Sequence, residues 1–151
     1  MKWNKKFTYP KSIRSTDNGI RRYLIGEKKL PSVTAILNAT KSEEDKAALA
    51  NWVERTGLKE SEAIVKAASS RGSKMHAYLE SFLLGRENLS FFDDDEQYKI
   101  MAKQIIEKGL INRFEEIWGV ECTLYKPDSY SGTCDAVGVY DGRESIIDFK
   151  Q

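Results

Sequence analysis

The chain has 151 residues, of which 40% are hydrophobic and 31% charged, with a formal net charge of +1 and two cysteines. That is enough for one domain with a core of its own. It excludes a Cys₄ zinc or iron–sulfur site within one chain and the strongly basic balance of an outright nucleic-acid binder. No apolar run approaches the roughly 18 residues of a membrane span, and no apolar stretch follows the basic start Met1-Lys2-Trp3, so it does not read as a signal peptide. With only Cys122 and Cys134, reduced thiols in a cytosolic compartment are expected.

Residues 1–30 carry nine Lys or Arg against Asp17 and Glu27. Aromatic residues (Trp3, Phe7, Tyr9, Tyr23) interleave with these charges around Ser15-Thr16-Asp17-Asn18-Gly19, which predicts a basic arm or two short strands joined by a loop. The acidic cluster Asp93-Asp94-Asp95-Glu96 offsets part of this charge elsewhere. Pro31 followed by Ser32 predicts a short capped helix over 32–37. Ser42, with Glu43, Glu44 and Asp45 behind it, caps a second helix that runs past Leu49, Trp52 and Val53 and stops at Gly57.

A long helix is predicted from about Glu60 to Leu84, ended by Gly85. Ile64, Ala68, Met75, Leu79 and Phe82 recur on it at helical spacing, and Gly72 permits a close approach. His76 lies beside that stripe, with Glu80 one turn on. A further helix is predicted over about Asp94 to Trp118, with Tyr98, Met101, Ile105 and Phe114 inward and Gly109 as an interruption. From Gly119 the period changes to two, through Val120-Glu121-Cys122-Thr123-Leu124-Tyr125, with a turn at Pro127-Asp128. Helices followed by a strand meander predict an α/β or α+β chain with a mixed sheet. One domain over 1–151 is expected, helical over 31–118 and stranded over 119–151.

The last stretch carries the chemistry. Asp141-Gly142 is the strongest short hairpin signal a sequence offers, and it pairs Tyr140 with Arg143. The same register puts Asp135 opposite Asp148, with Lys150 on the face of Asp148. Facing carboxylates repel, and carboxylates in apolar settings such as Ile146-Ile147-Asp148-Phe149 are tolerated when paired or bound to a cation. Oxygen ligands of this kind suit Mg²⁺ or Mn²⁺, and Lys150 then stabilises charge on an attacked phosphate. Glu121, Glu80 and Gln151 are accessory candidates. Trp52 and Tyr78 could stack on bases, although core packing is the plainer role for Trp52.

Gly132-Thr133-Cys134-Asp135, with Asp148-Phe149-Lys150 thirteen residues on, resembles the signature of the PD-(D/E)XK nuclease superfamily in its RecB-like branch. Arg71-Gly72-Ser73-Lys74-Met75-His76 is similar to that branch's R-G-x-x-x-H helix motif. Leu30-Pro31-Ser32-Val33-Thr34-Ala35-Ile36-Leu37 and the stretch from Leu49 through Trp52 to Gly57 look like the mitochondrial genome maintenance exonucleases and their phage relatives.

The resemblance implies a restriction-endonuclease-like core. It also implies a Mg²⁺- or Mn²⁺-dependent deoxyribonuclease acting on single-stranded DNA ends in replication, repair or recombination. His76, Asp135, Asp148 and Lys150 become its active-site residues, the Phe149 carbonyl an additional metal ligand, and Arg71, Ser73 and Tyr78 DNA contacts. The expected protein is a monomer with DNA as its partner and no membrane association, in the cytoplasm of a bacterial or phage-infected cell. Family members continue past the position of Gln151 with a helix and a strand, so a core lacking both, and weak activity, are expected. A structure-specific endonuclease and a non-cleaving DNA-binding remnant are the alternatives.

Overall fold

A computed structural model describes residues 1–86 and 96–151. The chain is mixed α/β, with four α-helices and two sheets among the described residues. It divides into two compact units. One comprises Met1–Tyr9, Ser69–Cys122 and Thr133–Gln151, and the other Pro10–Ala68 and Thr123–Gly132.

The second unit contains an antiparallel three-stranded sheet rather than the two strands expected. Its strands are β2 (Ile13–Asp17), β3 (Ile20–Ile25) and β4 (Lys28–Pro31), and β1 (Lys2–Trp3) belongs to the first unit. Asp17 pairs with Ile20 across Asn18-Gly19, and both loop residues have positive φ, the twist a two-residue hairpin requires. Ser32 caps α1 (Val33–Ala39) by accepting the Ala35 N–H at 3.0 Å. Ser42 caps α2 (Glu43–Thr56) by accepting the Asp45 N–H at 3.1 Å, and its hydroxyl donates to the Asp45 carboxylate at 2.8 Å. Gly57 ends that helix at φ +89°. Both caps stand where the sequence puts them, yet neither helix buries a residue fully.

The helix α3 (Leu58–Leu83) begins two residues ahead of its predicted start, and the first unit is built on its part from Ser69 onward. Its apolar stripe is interior only in the C-terminal half. Met75 and Leu79 are fully buried, whereas Ile64 is exposed. Those side chains, with Tyr78 and Leu83, form one core with Ala102 of α4 (Gln97–Ile105) and with Ile106 and Leu110 of a single π-helical turn (Ile106–Leu110). Phe114 and Ile117 of β5 (Phe114–Lys126), Ala136 of β6 (Tyr130–Tyr140) and Phe149 complete it. Residues 94 and 95, where the sequence puts the start of the helix predicted to run to Trp118, lie outside the described residues.

That helix does not reach Trp118. It passes through the π turn, Asn112 takes φ +63°, and Phe114–Trp118 are extended. The burial of Phe114 and Ile117 three residues apart mimics a helical repeat. Pairing with β1, Lys2 opposite Glu116 and Trp3 opposite Ile117 in parallel, holds the segment as strand.

The sheet order is β1-β5-β6-β7, with β7 spanning Arg143–Ile147 and antiparallel to β6. The parallel edge makes the sheet mixed, as the sequence predicts. At Gly138, β6 lies close against β5. A Cβ there would sit 1.9 Å from the Glu116 carbonyl oxygen and 2.5 Å from the Phe114 ring. Among the described residues, no helix is long and apolar enough to cross a membrane.

Candidate metal centre

The hairpin register is the one Asp141-Gly142 dictates. Tyr140 pairs with Arg143 and Ala136 with Ile147, and Asp141 and Gly142 both have positive φ. Arg113 Nη2 contacts the Asp141 carboxylate at 2.5 Å, and that hydrogen bond, set against a little burial, holds the Asp141 carboxyl below its ordinary value. Glu115 accepts the Gly142 N–H at 2.8 Å. The turn is therefore fixed by its own conformation and by two side chains from the start of β5.

The ladder stops one rung short of the predicted carboxylate pair. Asp135 does not face Asp148. Its Oδ2 instead accepts the Phe149 backbone N–H at 2.6 Å, so a side chain takes the place of the next strand contact. Its Oδ1 lies 3.2 Å from His76 Nδ1. Asp148 is exposed, not buried as its apolar neighbours suggest, and its carboxylate pairs with Lys150 Nζ at 2.5 Å. The physical reason is that Ile146 also faces solvent, so the apolar run around Asp148 does not mark an interior strand.

Glu121 supplies what Asp148 does not. The ligand atoms of His76 on α3, Glu121 on β5 and Asp135 on β6 all lie within 4.8 Å of one another, a grouping that could hold one metal ion. Asp135 is mostly buried and His76 about one-third exposed. Glu121 adopts φ +51° in mid-strand, and the predicted alternation breaks there, with Cys122 and Thr123 buried in succession. This is the backbone signature of a bulge, a device that re-aims a side chain. For a residue with a Cβ, such a conformation costs on the order of 1–3 kcal/mol.

The other candidates fall in different places. Phe149 is buried, with its ring edge-on to His76 at a centroid distance of 6.2 Å. Glu80 faces Arg86 at 3.8 Å. Gln151 accepts a hydrogen bond from Arg71 Nε at 3.0 Å. Ser73 is exposed. Tyr78 belongs to the core, and its buried hydroxyl finds no hydrogen-bond partner among the described residues, so its ring cannot stack on a base. Asp148, Phe149 and Lys150 line a cleft of about 450 Å³ together with the π turn and the C-terminal end of β7.

Cys122 and Cys134 are both free and buried. Burial, reinforced by Cys134, pushes the Cys122 thiol up to about 11. Neither cysteine has the exposed, electropositive setting of a nucleophile. In the basic N-terminal stretch, Lys6 pairs with Glu144, Arg22 and Lys29 with Asp17, and Lys28 with Asp128, so part of its charge excess is neutralised within the protein.

No protein-family model matches the chain, and no curated protein matches it either.

Proposed function

We propose that this protein is a divalent-cation-dependent deoxyribonuclease on a restriction-endonuclease-like core, hydrolysing phosphodiester bonds from single-stranded DNA ends. The observation that carries the reading is the convergence of His76, Glu121 and Asp135 from three separate elements. Two carboxylates and one imidazole suit Mn²⁺ and tolerate Mg²⁺. A bound cation of this class supplies Lewis acidity toward a phosphoryl oxygen and lowers the pKa of water.

In this reading His76, Glu121 and Asp135 hold the cation. His76 Nδ1 and Asp135 Oδ1 lie 3.2 Å apart, a spacing that would suit a shared cation once the proton between them is lost. Lys150 would stabilise the charge that develops on the phosphate. Asp148 now binds the Lys150 ammonium; by the family resemblance it would be a further ligand of the cation. The Phe149 carbonyl as a ligand rests on the family resemblance alone.

The Asp148–Lys150 pair also favours a second reading, a DNA-binding module that does not cut, in which the pair stays closed. End-labelled linear and circular single- and double-stranded DNA, incubated with Mg²⁺, Mn²⁺ or EDTA, separates the two. The nuclease reading expects metal-dependent digestion of linear DNA, survival of circles, and loss of cleavage with retained DNA binding in Asp148→Ala. Undiminished cleavage by that variant removes Asp148 from the site, and cutting of circles shows an endonuclease instead.

A further inference from the structure

Beyond Ile147 the chain leaves the ladder, yet Asp148 and Lys150 lie in that departing segment. Phe149 is one anchor, buried and bonded through its N–H to Asp135. Gln151 is the other. Its Oε1 accepts from Arg71 Nε at 3.0 Å, and Arg71 Nη1 donates to Gln97 Oε1 at 3.2 Å, which fixes the guanidinium from a second side.

Gly72 completes the arrangement. A Cβ on it would lie 2.9 Å from Gln151 Nε2 and 3.4 Å from Gln151 Cδ, so the carboxamide rests on bare helix backbone. Gly72 and His76 are four residues apart and share a helix face. One stretch of α3 thus carries both the imidazole of the candidate centre and the seat of the segment that bears Asp148 and Lys150.

We propose that Arg71 and Gly72 form a clamp for the Gln151 carboxamide, and that Arg71 is a positioning residue for Asp148 and Lys150 rather than a DNA-phosphate contact. With Phe149 and Gln151 held, the intervening Lys150 has its backbone fixed on both sides, and Asp148 is fixed by Phe149. Their side chains, paired with each other, stand on the exposed face. The catalytic half of this proposal rests on the nuclease reading, and the clamp itself does not.

The test compares wild type with Arg71→Ala, Gln151→Ala, the double variant, Gly72→Ala and Gln151→Glu. Amide hydrogen exchange of the 148–151 segment is read first, on metal-free protein. Arg71→Ala and Gln151→Ala should each speed exchange there about fivefold to tenfold, the scale of one hydrogen bond. The double variant should add nothing further, because contacting residues are not additive. Gly72→Ala should match the single variants, while Gln151→Glu, which keeps an acceptor for Arg71, should retain protection.

Cleavage kinetics are read second. Clamp loss should lower kcat about 10–100-fold through misplacement and leave the KM for DNA and its salt dependence unchanged. Unaltered exchange in both Arg71→Ala and Gln151→Ala overturns the clamp. A raised KM with a shallower salt slope in Arg71→Ala alone overturns the positioning role, since that is the mark of a phosphate contact. If wild type cleaves no DNA the nuclease reading falls, and exchange alone decides the clamp.

Discussion

Asp135 binds the Phe149 backbone N–H through one carboxylate oxygen, at 2.6 Å, and reaches His76 through the other, at 3.2 Å. A single side chain therefore joins the helix that offers an imidazole to the segment that carries Asp148 and Lys150. A cation held through Oδ1 would leave the Oδ2 contact in place, so filling the centre and holding the segment would be compatible tasks.

Asp135→Asn separates these tasks. The amide can still accept the Phe149 N–H, but it lacks the charge a hard cation requires. Calorimetric titration with Mn²⁺ should show a loss beyond the about 10–100-fold that supporting partners are worth at metal sites, with a near-native melting temperature. His76→Ala should lose affinity comparably. Wild-type Mn²⁺ affinity in both variants would remove these residues from the centre.

Glu121→Gly should trade function for stability. Glycine accepts φ +51° without a Cβ penalty, so relief of about 1 kcal/mol is expected in urea unfolding. Mn²⁺ binding should weaken at the same time, because a ligand is gone. Destabilisation together with full metal affinity would show that the backbone there is not strained and that Glu121 is no ligand.

Gly138→Ala should be far more damaging than an ordinary surface change. The added methyl would overlap the Glu116 carbonyl, a backbone atom that cannot swing aside. Overpacking of this severity costs about 3 kcal/mol or more, which chemical denaturation or loss of soluble expression would report. A variant of near-native stability would mean that β5 and β6 can move apart.

Asp141→Asn tests the turn through pH. Arg113 lowers the Asp141 carboxyl, so the pair's contribution is complete above the unfolded-state value of about 3.9 and disappears as pH falls through the lower folded-state value. Asparagine suits the same positive φ, so it removes charge without breaking the turn. Wild type should be the more stable near neutral pH, and the two denaturation curves should converge in acid. A constant difference across that range would show that the ion pair does not act on stability.

What could be read from the sequence follows the range of the interactions concerned. The Ser32 and Ser42 caps, the Gly57 stop and the Asp141-Gly142 register are encoded within a few neighbouring residues, and all four stand as predicted. The exchange of helix for strand at Phe114–Trp118 was not legible, because the partner that decides it, β1, lies at the other end of the chain. The same limit applies to the candidate centre. The register correctly aligns Asp135 with the Asp148 region, but sequence alone cannot show that the ladder ends at Ile147. Nor can it show that a positive φ turns Glu121 toward His76. The seat for Gln151 was half visible in Gly72, a residue marked for close approach, with nothing local to name what approaches.

The parallel pairing of β1 with β5 also bears on how the chain acquires its structure. The meander β2-β3-β4 closes through two-residue turns and can form as soon as its residues are available. The four-stranded sheet cannot, because Lys2 must wait for Glu116 and β6 and β7 come later still. Contacts between residues so distant in sequence slow folding, since a long loop must close before they give any return. On a ribosome, the sheet bearing Glu121 and Asp135 thus assembles after that meander, and Lys2–Trp3 emerge long before their partner strand.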